Sequence, residues 1–450
     1  TAFNKAISVS IAEKVASEGL MGRVNCCTVH SLGYKALCNA RGSVEMEPIA
    51  RRNQLLAPLG LLKPTKPGKV AFPTPIGTVA FDLFDHARNQ AMDPKEIEAD
   101  DLGWMVDRFN MHNAIKDART SVREVCDLAY QMLHASLEPT PVIDYTDMIF
   151  LPAVLEIRPR QADWVLIDEA QDTNPARRKV AMLSLKPGGR LVAVGDPRQA
   201  IYAFTGADSD AMDQIKEAFD CTDLELTITY RCPKAIVRHA QQWVSHIQAH
   251  DTAPEGEVVE MASQDALATV QKGDAILCRN TAPLVSMAFQ LIRSGRAAHV
   301  EGKEIGKGLT TLTRKWWLDD AQEFLTRLRT WAAIEHEDLV SRQRGGAAAA
   351  LMDKVETMEV LAEGCATVED IRRKIGGIFE DTEKDDAKKR ITLATIHRAK
   401  GREWNTVYWF GHSTLCPSGY AKTREEKTQE QNLQYVATTR AKKRLILVEE

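Results

Sequence analysis

What the sequence lacks narrows it first. No apolar run approaches the roughly 18 to 20 residues needed to cross a bilayer, and the first residues do not read as a secretory leader. The nine cysteines are scattered and include no C-x-x-C pair, so they read as reduced thiols of a cytosolic protein rather than a disulfide framework or a zinc site. A net charge of −4 neither demands nor excludes a polyanionic partner, because a phosphate-tracking surface can be a local stripe on an acidic protein. There is no internal repeat, and the alanine run at 347–350 is too short to count as low complexity. What remains is an ordinary globular composition, 44% hydrophobic and 27% charged, over 450 residues. That length holds several domains with cores of their own and needs no covalent staple.

Short apolar, β-branched runs ending in Gly, Asp or Arg recur along the chain: "WVLIDEA" from 164, "RLVAVGDP" from 190, "LELTITYR" from 224, "DAILCRN" from 274, "ITLATIHRAKG" from 391, "TVYWFG" from 406 and "RLILVEE" from 444. Continuous apolar runs of this length with helical patterns between them predict buried parallel strands in α/β layers. Residues 45 to 140 are mixed, with a Pro-rich loop "LLKPTKPGKVAFPTP" and helical periodicity from about Pro94, and residues 310 to 385 read as almost wholly helical. Two α/β domains follow, each interrupted by a mostly helical insertion. At the N-terminus Asn4 caps a helix with Ile7, Ile11 and Val15 on one face and Gly19 as its stop, which places Lys5 beside free backbone N–H groups suited to a phosphate.

Several constellations could carry chemistry. "VLIDEAQDTN" runs a strand into Asp168 and Glu169, at the strand end where open α/β sheets bind ligands. A Mg2+ on nucleotide phosphates would explain the first acid and an oriented water the second, although an acidic surface loop would look the same. "VAVGDPRQAIYAFTGA" ends another strand at Gly195 and Asp196, with Gln199 a neutral group able to touch a phosphate oxygen. Tyr202 and Phe204, two apart, could stack on bases or be core aromatics. "TYRCP" offers Tyr230 and Arg231, and Arg440 shares a helical face with Glu430, Leu433 and Ala437, so it is expected to project from the final helix. "TIHRAKGREW" collects hydroxyl, imidazole, lysine and Glu403 in one polar loop.

In order along the chain, "TAFNKA", "TVHSLGYKAL", "DYTDMI", "VLIDEAQDTN", "VGDPRQAIYAFTGA", "TYR", "TIHRAKGREW" and "EQNLQYVATTRA" resemble the motif series of the UvrD/Rep-type superfamily 1A DNA helicases. The short helical insertion and "VEGKEIGKGL" look closer to phage and F-box helicases, with a small 2B insertion. The resemblance implies two RecA-like parallel-sheet domains of P-loop NTPase architecture. Residues 1–44 and 141–228 would form domain 1A with 45–140 inserted as 1B, and residues 229–305 and 389–450 would form domain 2A with 306–388 inserted as 2B. It implies ATP and Mg2+ as cofactors, with Asp168 on the metal and Glu169 activating water. Gln171 and Gln199 would sense the γ-phosphate, Tyr230 would stack on adenine, and Arg231 and Arg440 would serve as arginine fingers. Glu403 would hold the ribose, with Lys400 and Gly401 beside the nucleotide. Single-stranded DNA and single-strand/duplex junctions would be the partners, touched by Phe3, Asn4, Lys5, Thr28, His30, Thr395 and His397, with Tyr202 and Phe204 stacking. Two departures weaken single contacts: the aromatic of "TAFNKA" is shifted by one residue, and Thr205 stands where the family has arginine.

The largest departure is the missing phosphate-binding loop G-x-x-x-x-G-K-[ST], expected upstream of "TAFNKA". "KPGKV" and "EGKEIGKGLT" contain Gly-Lys but lack its spacing. The expectation is a chain truncated before or within that motif, impaired alone, from an ATP-dependent 3′ to 5′ helicase of the cytoplasm, or of the nucleus if eukaryotic. The alternative, a non-catalytic single-stranded-DNA-binding module, has no need of the combination Glu169, Arg231 and Arg440.

Overall fold

The computed structural model describes residues 5–20, 22–64, 70–109, 111–201, 210–341, 345–379, 389–421 and 423–449. The chain divides into two compact units, Thr1–Asp223 and Leu224–Glu450. Among the described residues no helix is long and apolar enough to cross a membrane.

In the first unit β1 (Glu45–Met46) pairs in parallel with β2 (Val142–Ile143), and β3 (Ala162–Ile167) with β4 (Leu185–Ala193). Side chains alternate along β3, so Val165 and Ile167 are buried while Trp164 and Leu166 stay exposed. Around these strands the unit is helical, and three of its longer helices start on hydroxyl caps. Thr28 caps Val29–Arg41, Thr74 caps Pro75–Asn89 and Ser121 caps Val122–Leu137, each side-chain oxygen accepting an N–H of the first turn. Helix Pro75–Asn89 begins well before Pro94, where helical periodicity was expected. The reason is that Pro75 is the first helical residue, a position where a missing N–H costs nothing, so the Pro-rich stretch ends in a helix rather than extending the loop. Leu83, Phe84, Met105, Val125, Met132 and Phe150 form the center of the helical core.

The second unit holds a six-stranded, all-parallel sheet ordered β7-β12-β11-β8-β10-β9, formed by β7 (Glu257–Ala262), β8 (Ala275–Cys278), β9 (Ala298–Val300), β10 (Ile391–Thr395), β11 (Trp404–Phe410) and β12 (Ala441–Glu449). The central strands β8 and β10 are buried at every residue, as a sheet covered on both faces requires. Helices Lys303–Thr313, Ala321–Ser341, Gly345–Ala362 and Val368–Ile378 pack in the same hydrophobic core, through residues such as Phe324, Leu328, Met358 and Ile371. Asp353 ties them down: one carboxylate oxygen accepts the N–H groups of Thr281 and Ala282 at 2.7 and 2.8 Å, at the positive end of helix Thr281–Arg293.

"LELTITYR" is the strand expectation that fails. Only β5 (Ile228–Thr229) forms, against the equally short β6 (Gln248–Ala249), and Leu224 and Leu226 are 81% and 88% exposed. Alternating apolar character makes a strand only where a neighbour supplies the ladder, and β6 is two residues long. Conversely β7, carrying Glu257 and Glu260, and the three-residue β9 lack the continuous apolar signature that marks the others.

Candidate functional site

Strands β3 and β4 end side by side, with Ile167 opposite Ala193, and the acids follow at once. Asp168 Oδ1 accepts the Glu169 N–H at 3.0 Å. Glu169 sits at φ 51°, a left-handed conformation unfavourable for a residue with a Cβ and common at functional sites. The turn delivers Gln171, which is 2% exposed, between the two segments: its Nε2 donates to Glu169 Oε2 at 2.6 Å and its Oε1 accepts the Asp196 N–H at 3.1 Å. Asp196 Oδ2 in turn accepts from Gln199 Nε2 at 2.8 Å. Glu169, Gln171, Asp196 and Gln199 therefore form one hydrogen-bonded chain. Only an amide fits its middle, because one partner is a carboxylate that needs a donor and the other an N–H that needs an acceptor.

Gly195 is what lets the segments approach. A Cβ there would lie 2.4 Å from Gln171 Oε1 and 2.9 Å from Met212 Sδ. Gly195→Ala is expected to push Gln171 off Asp196 while lowering the melting temperature by only a few degrees, which a thermal melt checks.

The first unit also holds a group of buried charges that the motif reading did not anticipate. "DYTDMI" supplies Asp144 and Asp147, which meet two arginines from the helical region, each 1% exposed. Asp147 accepts from Arg51 Nε at 2.8 Å and Arg88 Nη1 at 3.0 Å, while Arg88 also grips both oxygens of Asp144 at 2.9 Å. Burial acts to raise the Asp144 carboxyl, but the Arg88 charge and hydrogen bonds outweigh it and hold it below the usual range.

Thr28 and His30 stand at the start of helix Val29–Arg41, where the Thr28 hydroxyl oxygen accepts the Ser31 N–H at 3.1 Å. The second unit repeats the device. Thr395, expected in a loop, is the last residue of β10 and caps the short helix Ile396–Ala399, accepting from Arg398 N. Both histidines are kept neutral. Burial, then the charge of Arg177, lowers His30 to about 4, and burial, then Arg279, lowers His397 to about 3. The unfolded chain, with histidines near 6.5, binds protons first as pH falls, so stability is expected to drop between about pH 6.5 and 4, by on the order of 2 kcal/mol per histidine. Urea midpoints at pH 7 and pH 5 test this: His30→Gln should remove about half of the difference and leave the part due to His397.

Elsewhere in the second unit the Glu403 carboxylate accepts Arg231 Nε at 2.6 Å and Lys442 Nζ at 3.2 Å. Burial acts to raise its pKa, and the two cations outweigh that and lower it. Tyr230 is 79% exposed, with its ring 4.6 Å from that of His250. Lys400 ends the short helix and Gly401 follows at φ 79°.

Arg440 corrects its expectation: it does not project from the helix. Helix Arg424–Thr438 stops two residues earlier, as the Thr439 hydroxyl bonds back to Tyr435 O at 2.9 Å and the chain turns into β12. Arg440 is 1% exposed, and its guanidinium donates to Val436 O and Thr439 Oγ1, both at 3.0 Å, and to Arg402 O at 3.4 Å. It satisfies carbonyls left over at the helix end. Phe3, Asn4, Tyr202, Phe204 and Thr205 lie outside the described residues, and of Lys5 only the helical backbone is described.

Two units built on parallel sheets, with acids and glutamines at strand ends, define a RecA-type two-domain architecture. The chain belongs to the UvrD/REP helicase family: the UvrD/REP helicase N-terminal domain matches residues 2–220 and the UvrD-like helicase C-terminal domain residues 348–449. Across 509 aligned residues it is 24% identical to F-box DNA helicase protein 1 of Schizosaccharomyces pombe, covering 99% of this chain and 52% of that protein. It is 30% identical over 120 residues to ATP-dependent DNA helicase Rep of Escherichia coli, 25% of this chain and 18% of that one. To ATP-dependent DNA helicase PcrA of Staphylococcus epidermidis it is 26% identical over 153 residues, 30% and 21% of the two chains. The chain thus spans about half the length of the yeast relative and less of the bacterial ones.

Proposed function

We propose that the protein couples ATP hydrolysis to movement along single-stranded DNA, 3′ to 5′, and to opening of the duplex at a junction. The observation that carries this is the hydrogen-bonded chain from Glu169 through Gln171 and Asp196 to Gln199, which joins the acids of one strand end to the segment leading toward Tyr202 and Phe204. A module that merely holds DNA needs neither a poised carboxylate nor such a relay.

Asp168 suits Mg2+ held mainly by nucleotide phosphates, which asks for only one or two protein carboxylates. Among the described residues no larger cluster of His, Cys, Asp and Glu competes for that role. When bound, the ion would offset phosphate charge. Glu169 orients the attacking water and takes its proton, and Gln171 and Gln199 report the terminal phosphate to the DNA-facing segment. Tyr230 offers its exposed ring to the adenine, Arg231 supplies a cation, and Glu403 serves the ribose, flanked by Lys400 and Gly401. On the DNA side Phe3, Asn4, Lys5, Thr28, His30, Thr395 and His397 line the strand and Tyr202 and Phe204 stack. His30 and His397, neutral at pH 7, contribute hydrogen bonds rather than charge to it.

We assign the domains at the boundaries expected from the sequence, with 45–140 and 306–388 as the insertions, and the place of action is wherever the cell keeps DNA. These 450 residues contain no G-x-x-x-x-G-K-[ST] pattern, so alone they are expected to turn over ATP slowly. Strand displacement by the intact gene product on duplexes with 3′ or 5′ single-stranded tails is the test. Displacement confined to 3′ tails and dependent on ATP is expected; equal displacement without ATP would sink the reading.

A further inference from the structure

The helical part of the second unit carries two adjacent tryptophans with opposite environments. Trp316 is a packing residue: its ring lies 5.9 Å from both Phe324 and Trp331, and it sits against the core. Lys315 stacks its ammonium 3.3 Å from the Trp331 centroid, and burial lowers its pKa. Trp317 does the reverse. Its side chain is 86% exposed, and its backbone is held at φ 56°.

Both features oppose stability. A bulky residue at positive φ is a genuine outlier that glycine or asparagine would relieve, and an indole left in water forgoes the burial that makes tryptophan useful to a fold. No packing role offsets either. The conformation follows from the flanking structure: helix Lys303–Thr313 has ended, and the Asp319 carbonyl and the Asp320 carboxylate are fixed by Val368 N at 2.8 Å and Glu323 N at 2.8 Å. The chain between those anchors turns sharply and throws the ring outward. Arg314, exposed three residues before it, makes no ion pair among the described residues. The acids after it are partly spent, since Asp320 caps helix Ala321–Ser341.

We propose that Trp317 is a base-stacking residue of the helical insertion, which takes an unpaired nucleobase of DNA on its indole face while Arg314 meets the adjoining phosphate. Every base has a π-face, so the contact is sequence-tolerant, as a motor moving along a strand requires. An exposed cation three residues before an exposed aromatic distinguishes this segment from an apolar protein-docking patch, which would be wider and uncharged. The proposal rests on the DNA reading above and adds a contact outside its motif residues.

The test uses the 450-residue chain with a forked oligonucleotide carrying 5-iododeoxyuridine in its single-stranded arms, irradiated and mapped by peptide mass spectrometry. A crosslink on Trp317 is expected. Trp317→Gly should weaken binding about tenfold, Trp317→Tyr should retain most of it, and the glycine variant should melt no lower than the parent, because the strain is gone. Crosslinks elsewhere with none at Trp317, together with unchanged affinity in Trp317→Gly, would overturn the proposal, leave the DNA reading intact and turn attention to a protein partner. No DNA binding by the parent chain would overturn both.

Discussion

Asp147→Ala is expected to destabilise the first unit by about 3 to 5 kcal/mol, the scale for removing one partner from a fully buried ion pair. Asp147 is the hub of its cluster, bonded to Arg51 through one oxygen and Arg88 through the other. Without it Arg88 keeps Asp144 and Asp85, but Arg51 keeps only the neutral Gln54 Oε1 and Ser136 O. An uncompensated guanidinium, 1% exposed, is then the dominant loss. Since a domain's whole stability is about 5 to 15 kcal/mol, poor soluble yield should accompany it. Urea denaturation followed by tryptophan fluorescence measures the change. Asp163→Ala is the control: its Lys186 partner is nearly half exposed, and such pairs contribute less than about 1 kcal/mol. Equal losses in the two variants would refute the argument from burial. Asp144 adds a pH signature. Its pKa is depressed in the folded state, so its contribution is present above the ordinary carboxylate range and lost as pH falls through the folded value, below the histidine window.

That cluster shows where sequence reading stops. "DYTDMI" is visible as a motif, yet its purpose depends on Arg51 and Arg88, which lie 96 and 59 positions from Asp147. In sequence each arginine is one more charge on an amphipathic helix, and the ordinary reading of such a charge is a solvated face. Strands were legible where the run was continuous, as in β8, β10 and β11, because burial on both faces leaves an unbroken apolar signature. Edge strand β7 and the three-residue β9 carry no such signature, and "LELTITYR" carries only an alternating one, without the neighbour that would make it a strand.

The site was legible to different depths at different residues. Asp168, Glu169, Gln171 and Gln199 lie within two short segments, so local order along the chain nearly fixes their neighbourhood, and the structure adds Gly195 and Asp196 as the parts that join them. Arg440 was placed on a helical face by three- and four-residue spacing, but periodicity cannot see where a helix ends. The Thr439 hydroxyl, bonding back onto the last turn, ended it first, and the guanidinium folded onto the freed carbonyls. Lys442, the second cation on Glu403, gave no sequence signal, because only the pairing of β11 with β12 brings positions 403 and 442 together.

Glu169→Gln isolates the chemistry from the architecture. The amide is nearly isosteric with the carboxylate and can still accept the Gln171 Nε2 hydrogen bond, so the chain to Asp196 and Gln199 should persist. What is lost is basicity: the group can orient a water but no longer take its proton. ATP turnover of the intact gene product is expected to fall 10²- to 10⁴-fold, the usual contribution of a general base, with strand displacement abolished and single-stranded DNA affinity unchanged. The left-handed backbone supplies an internal check. Glu169→Gly removes the same base and also relieves a conformation that costs roughly 1 to 2 kcal/mol for a residue with a Cβ, so it should lose turnover to the same degree without melting lower. Activity lost in both variants while melting temperature holds or rises separates a chemical role from a structural one. Turnover retained in Glu169→Gln would assign the proton to another group and leave Glu169 as the anchor of Gln171 alone.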